Sequence, residues 1–154
     1  MPVLVRTDHR DGAAASRALF TLARRFLAAL GLEGAELSVV VTTDRRIRAL
    51  NRVFRDKDQA TDVLSFPLAE AVHRGFAGPL GDVVISLDTA RRRAKAEGSP
   101  LRAELALYLS HGVMHLVGHD HHRPEQARRM ARAERRLLGG AGMIARAGGK
   151  GARG

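Results

Sequence analysis

Residues 101–117 predict a helix that must be buried on nearly every side. The segment LRAELALYLSHGVMHLV is apolar almost all round when successive residues are placed about 100° apart. Ser99 is a predicted N-cap with Pro100 in the first helical position, and Gly118 predicts the end of the helix. Because such a helix has to be covered by other elements, the rest of the chain is expected to pack around it.

One stripe of this predicted helix is polar and contains Glu104, Tyr108, His111 and His115. Polar groups on a buried surface need hydrogen-bond partners or a bound ion. A metal ion held by the two histidines would meet that need at one end of the stripe.

The remaining segments predict about four strands and several helices in α+β order. Asp44 is the predicted cap of one helix, Gly31 closes the first helix, and residues 68–81 are expected to form a loop. The predicted strands are 3–7, 36–43, 61–66 and 81–86, and the other predicted helices are 13–30, 45–54, 88–98 and 124–138.

The domain organisation follows from length and composition. With 154 residues, the chain is expected to fold as one domain over residues 1–138. The Gly-rich, basic tail at residues 139–154 is expected to be disordered. No stretch is apolar enough for a secretory signal or a membrane span, which predicts a cytoplasmic protein without a membrane partner.

Five of the seven histidines lie between positions 111 and 122, in HGVMHLVGHDHH. His111 and His115 are four residues apart, so both project from one face of the helix and can bind one metal ion. Gly118 permits a turn that brings His121 back toward the helix end. Since the chain has no cysteine, the imidazoles of His111, His115 and His121 predict a zinc site, although nickel or copper would also suit them. A surface run of histidines with no metal is the alternative.

The spacing H-x3-H-x2-G-x2-H is also that of the metzincin proteases, whose three ligands leave a fourth coordination position open. Metzincins carry a glutamate directly after the first histidine as the general base, whereas this chain has Gly112 there. Glycine cannot transfer a proton, so the sequence disfavours peptidase chemistry of that type. His119, Asp120 and His122 could bond to a ligand imidazole, cap a turn or face solvent.

The charge of the chain favours a polyanionic partner. Lys and Arg number 26 against 16 Asp and Glu, a formal net charge of +10. Such an excess attracts RNA or DNA, although a chain biased toward Ala, Arg and Gly can carry it without a nucleic-acid role. Only 4% of the residues are aromatic and none is Trp, which argues against a base-stacking platform.

Three segments together resemble the YbeY family of endoribonucleases: LNRVFRDKDQATDVLSFP at 50–67, LGDVVIS at 80–86 and HGVMHLVGHDH at 111–121. The family patterns are N-x3-R-x2-D-x-P-T-D-V-L-S-F-P, L-G-D-[IV]-x-[IL]-[CS] and H-G-x2-H-L-x-G-[YH]-D-H. All three occur here in the family's order. This chain departs from the pattern at Ala60, where Pro is usual, and at Phe54 and His119, where Tyr is common.

The resemblance implies an α+β fold, a mixed sheet of about four strands packed with about five helices, and a single metal site at the end of a core helix. It implies one Zn²⁺ per chain, held by His111, His115 and His121, and a catalytic role for Arg55 beside the metal cleft. A guanidinium suits that role because it can fork onto a phosphate. The implied function is single-strand-specific, zinc-dependent endoribonuclease activity in 16S rRNA 3′-end maturation and ribosome quality control. The implied partners are an rRNA precursor and the ribosome or a ribosomal protein.

Two other functions stay open at this point. One is a ribosome-assembly factor that binds RNA or ribosomal protein without cleaving and has a structural or vestigial metal site, and the missing glutamate favours it. The other is a metallopeptidase, which Gly112 and the basic charge oppose. The three-ligand site, with its open fourth position, favours an enzyme over the assembly factor.

Overall fold

The computed structural model describes residues 3–118 and 124–140, which form four strands and five helices. This confirms the α+β class. In chain order the elements are β1 (Val3–Thr7), α1 (Ala13–Ala29), β2 (Ala35–Thr42), α2 (Asp44–Arg55), β3 (Val63–Pro67), β4 (Gly78–Ser86), α3 (Leu87–Glu97), α4 (Leu101–Leu116) and α5 (Pro124–Gly140).

The four strands form one mixed sheet in the order β1-β2-β4-β3. β1, β2 and β4 are parallel, whereas β3 pairs with β4 in the antiparallel direction. The register places Ser65 of β3 opposite Val83 of β4. β3 is therefore an edge strand that borders the longest strand of the sheet.

The two faces of the sheet support cores of different size, because successive side chains of a strand point to opposite faces. Val83 and Ile85 belong to the large core, which they share with α1, α4 and α5. Val84 between them joins Leu64 and Ile47 of α2 in a small core on the other face. α2 and α4 thus cover opposite faces of the sheet.

Helix α4 is buried along most of its length, as its apolar sequence predicted. Two glycines let it approach the sheet closely. A methyl group at Gly112 would lie 2.7 Å from Cγ1 of Val83, and one at Gly81 would lie 2.8 Å from Cδ2 of Leu116. Gly81 also has a φ of +145°, which few other residues adopt.

Several local predictions differ from the structure. Thr43, and not Asp44, caps α2, since its hydroxyl accepts a hydrogen bond from the Arg46 amide at 3.2 Å. At the start of α4 the cap position is Pro100 and no side chain caps it, so the predicted role of Ser99 was wrong. β4 begins at Gly78, inside the segment predicted to be a loop, because its first residues pair with the start of β2.

The end of the chain is described only in part. α5 continues to Gly140, two residues into the predicted tail, and residues 141–154 lie outside the described residues. Across the described ranges, no helix is long and apolar enough to cross a membrane.

The contact between Gly112 and Val83 generates a stability prediction. Gly112→Ala should lower the free energy of unfolding by about 1–2 kcal/mol, because overpacking outweighs the gain in helix propensity. Denaturant unfolding followed by circular dichroism would measure the change.

A double-mutant cycle tests the stated cause. Val83→Ala removes the methyl groups that the new side chain would meet, so the double variant should be less destabilised than the sum of the two single changes. Strict additivity would show that the clash with Val83 is not the source of the effect.

Candidate functional site

The two described histidines of the cluster meet at the C-terminal end of α4. Their Nε2 atoms are 3.2 Å apart, and their ring centroids are 4.8 Å apart. Two imidazole nitrogens bound at 2.0–2.1 Å to one tetrahedral zinc ion lie about 3.3 Å from each other. The spacing of His111 and His115 therefore fits two ligands of one ion.

A carboxylate holds the other side of the first imidazole. Nδ1 of His111 lies 3.0 Å from Oε1 of Glu134, and both side chains are largely buried, at 19% and 16% exposure. With Nδ1–H donating to the carboxylate, the lone pair of Nε2 faces His115. Metal-binding histidines commonly show this carboxylate contact, because it fixes the tautomer and the ring orientation.

Glu134 is a residue that the sequence reasoning missed. It reaches His111 because Leu137 and Leu138, one turn later on α5, are buried in the large core. The sequence did contain a signal. Glu134 precedes Leu137 by three residues and Leu138 by four, and this spacing places Glu134 on the apolar face of the predicted helix.

The third predicted ligand, His121, lies outside the described residues, as do His119, Asp120 and His122. Within residues 3–118 and 124–140, no group of three or more His, Cys, Asp or Glu side chains could hold a metal ion. Gly118 has a φ of +103°, so the chain turns directly after α4, as the sequence predicted.

The first half of the polar stripe is enclosed by protein. Glu104 and Tyr108 are only 1% and 2% exposed. Burial raises the pKa of the Tyr108 hydroxyl far above its usual range, and the negative charge of the neighbouring Glu104 carboxylate adds to this shift. The Arg93 guanidinium lies 6.0 Å from the Tyr108 ring centroid and 2.6 Å from Oδ2 of Asp62. The stripe thus opens toward solvent only at its histidine end.

Arg55 lies in the last turn of α2, on the other face of the sheet. Its Nη2 donates to the Ser65 carbonyl at 2.7 Å, and its guanidinium carbon lies 5.3 Å from the Phe66 ring centroid. Both of these contacts are to β3. Ser65 pairs with Val83, and Gly112 of α4 packs on Val83. Gly112 lies between the two histidines in sequence. Arg55 is therefore bound to β3 next to the point where this part of α4 contacts the sheet.

Gly112 explains why the metzincin base is missing here. It is buried against Val83. A glutamate at this position would have to displace the sheet or the helix, so the residue after the first histidine cannot present a carboxylate to the histidine pair.

Comparison with known proteins decides the family. A family profile described as Endoribonuclease YbeY matches residues 7–142. The chain belongs to the YbeY family. A curated relative named Endoribonuclease YbeY, from Anaeromyxobacter dehalogenans (strain 2CP-C), is 56% identical over 144 residues, 94% of this chain and 74% of that protein.

Other YbeY relatives cover the chain to similar extents. A protein of that name from Thermus thermophilus is 44% identical over 126 residues, 79% of this chain and 91% of its own length. The one from Myxococcus xanthus (strain DK1622) is 53% identical over 145 residues, 93% of this chain but 49% of that longer protein. The solution structure of TM1509 from Thermotoga maritima covers 98% of this chain and 99% of that one, with a TM-score of 0.59 and 21% identity, and so shares the fold.

Proposed function

We propose that this chain is a single-strand-specific, zinc-dependent endoribonuclease that acts in 16S rRNA 3′-end maturation and ribosome quality control. Its membership of the YbeY family, whose curated relatives are named endoribonucleases, supports RNA hydrolysis. The observation that carries the metal dependence is the approach of Nε2 of His111 and Nε2 of His115 to 3.2 Å, with Glu134 on Nδ1 of His111.

In this proposal His111, His115 and His121 hold one zinc ion. Zinc held by three imidazoles supplies a Lewis acid that acidifies water and polarises a phosphoryl oxygen. Glu134 keeps the His111 ring oriented with Nε2 available as a ligand. The positive φ of Gly118 allows the chain to turn directly after α4, as a third ligand at His121 requires.

Arg55 is the proposed phosphate-binding residue. A guanidinium has five N–H donors, and the described contact with Ser65 occupies only part of them. That contact and the Phe66 ring restrain the side chain, so its other donors can meet a phosphate with little further loss of conformational freedom. The charge that develops on a scissile phosphate would be stabilised there.

The proposed partners are an rRNA precursor and the ribosome or a ribosomal protein, in the cytoplasm. The net charge of +10 favours association with RNA. Metallopeptidase activity is disfavoured because Gly112 packs on Val83 and leaves no space for the glutamate base. A non-cleaving assembly factor would share the RNA and the metal, so only a cleavage assay separates it from the enzyme.

The first test is cleavage of a single-stranded RNA that carries a 16S 3′-end precursor sequence. We expect cleavage by the purified chain, loss of cleavage with chelator, and recovery on addition of zinc. His115→Ala, purified identically, should be inactive because it removes a metal ligand. Gel analysis of the labelled RNA would measure the products.

Each other outcome has a definite meaning. Equal cleavage by all samples would indicate a contaminating nuclease. No cleavage by a zinc-loaded wild-type chain, in the presence of ribosomal subunits as well as alone, would overturn the enzymatic proposal and support the assembly factor.

Arg55→Ala should lower the single-turnover rate of cleavage about 100-fold while zinc content stays the same, because one charge-stabilising donor group is lost. Arg55→Lys should recover only part of the rate, since an ammonium cannot fork onto a phosphate. Thermal unfolding of each variant controls for the lost bond to Ser65. An unchanged rate in Arg55→Ala would refute the role.

Glu134→Ala should weaken zinc binding about 10- to 100-fold, because the His111 ring loses the carboxylate that orients it. Competition against a chromophoric chelator would measure the affinity without any activity assay. Glu134→Gln keeps an acceptor and should lose less. Arg135→Ala, at an exposed neighbouring position of α5, is the matched control and should bind zinc normally. Equal affinity in Glu134→Ala would show that the contact with His111 does not support the metal.

A further inference from the structure

An exposed apolar surface lies where α2 meets the edge strand β3. It is formed by the ring of Phe54, at 58% exposure, and the half-buried ring of Phe66 that it contacts. Two further large apolar side chains of the same stretch of chain are exposed, Val53 at 67% and Leu68 at 65%. We call Phe54 and Phe66 the Phe54 surface. Contiguous exposed apolar area marks binding sites, whereas apolar side chains scattered singly are normal.

Phe54 is the one exposed ring among the five Phe and one Tyr of the chain, all of which lie in the described part. Its ring meets Phe66 edge to face, with centroids 5.3 Å apart and an interplanar angle of 70°. The small core under α2 is formed by Ile47, Leu64 and Val84, and Phe54 is not part of it. The ring thus contacts Phe66 while more than half of the area of Phe54 faces solvent.

The surroundings of this surface are basic. From residue 44 to residue 58 the chain has six Arg or Lys side chains and three Asp. Asp44 is turned inward, where it accepts hydrogen bonds from Ser86 and Thr89. Arg46 forms an ion pair with Asp8 and Arg48 with Asp58, so among the described residues the excess positive charge near Phe54 comes from Arg52, Arg55 and Lys57. Arg52 and Lys57 are exposed on either side of the ring in sequence. This charge is complementary to a phosphate backbone.

The adjoining edge of β3 is poorly suited to a peptide partner that would add a strand. The Val63 amide donates to its neighbour's side chain, Oδ1 of Asp62, at 2.8 Å. The Ser65 carbonyl accepts from Arg55, and Pro67 has no N–H to offer. Backbone groups occupied in this way block strand addition.

We propose that Phe54 stacks on a base of single-stranded RNA while the arginines of α2 hold the flanking phosphates. An exposed ring beside basic side chains is the combination that binds unpaired nucleotides. Phe54 and Arg55 both rest on Phe66, so the stacked base lies next to the phosphate that Arg55 binds. Phe54 is therefore a substrate-positioning residue, and this inference rests on the proposed action on RNA.

The low aromatic content argued against a base-stacking platform. The proposal departs from that expectation, because it assigns stacking to one exposed ring, and one ring is enough for one base. Stacking tolerates any base because every base has a π-face, so we expect Phe54 to strengthen binding without strong sequence preference.

The test measures RNA binding by fluorescence anisotropy. The probe is a labelled single-stranded RNA of about 12 nucleotides, a length within the site sizes typical of proteins that bind single strands. Chelator is present to prevent cleavage. Phe54→Ala should weaken binding about tenfold. Phe54→Leu, which keeps apolar bulk on Phe66 without a ring, should weaken it similarly, whereas Phe54→Trp should retain it. Leu4→Ala is the matched control: it removes a similarly exposed apolar side chain from β1, at the opposite edge of the sheet, and should leave affinity unchanged.

An oligonucleotide of the same length with abasic sugars isolates the stacking. Wild type and Phe54→Ala should bind it equally, because no base is present to stack. Three outcomes would overturn the proposal and favour a protein partner for this surface. They are equal binding of normal RNA by wild type and Phe54→Ala, no RNA binding by the wild type, and full affinity in Phe54→Leu. Cleavage is measured separately from binding. If binding depends on the Phe54 ring but no RNA is cleaved, this inference stands and the proposed enzymatic function fails. If RNA is cleaved but binding does not depend on the ring, the enzymatic function stands and this inference fails.

Discussion

The close approach of α4 to the sheet is the constraint on which the rest of the structure depends. Gly112 has no side chain, so the helix can lie directly on Val83, and Gly81 gives Leu116 the same freedom further along β4. His111 and His115 flank Gly112 in sequence and lie to one side of it around the helix. The packing that fixes the helix therefore also fixes where the two imidazoles emerge. The same packing leaves no space at position 112 for the glutamate base of the peptidases.

Polar groups elsewhere in the chain show how a site differs from a structural cluster. At the carboxyl ends of the parallel strands, Asp44 accepts from Ser86 at 2.6 Å and from Thr89 at 2.7 Å, and Asp88 lies 2.8 Å from Nε2 of His9. Burial alone would raise the pKa of Asp44, but these hydrogen bonds and Arg92 outweigh it and the net pKa is lowered. Those carboxylates are satisfied by protein groups. In the histidine pair, two nitrogens that can both bind a metal lie 3.2 Å apart at the more exposed end of the polar stripe.

Local sequence rules predicted most elements because propensity and apolar period agree with the tertiary packing there. They failed at boundaries. Thr43 and Asp44 are both good cap residues, and only the inward hydrogen bonds of Asp44 to the start of α3 decide that Thr43 caps α2. The first residues of β4 are extended because they pair with β2, and no local pattern in residues 68–81 indicates this pairing. Glu134 escaped notice because its partner is 23 residues away in the sequence.

The sequence by itself determined the family, the core helix, and the convergence of His111 and His115, because a four-residue spacing on a helix places two side chains on one face whatever surrounds them. It also determined the basic charge that favours RNA. Tertiary structure alone decided that Glu134 holds the His111 ring, that Arg55 is anchored to Ser65, and that Phe54 stays exposed beside it. Those contacts join segments that are far apart in the sequence. They depend on how the helices pack on the sheet, and residue spacing along the chain does not specify that packing.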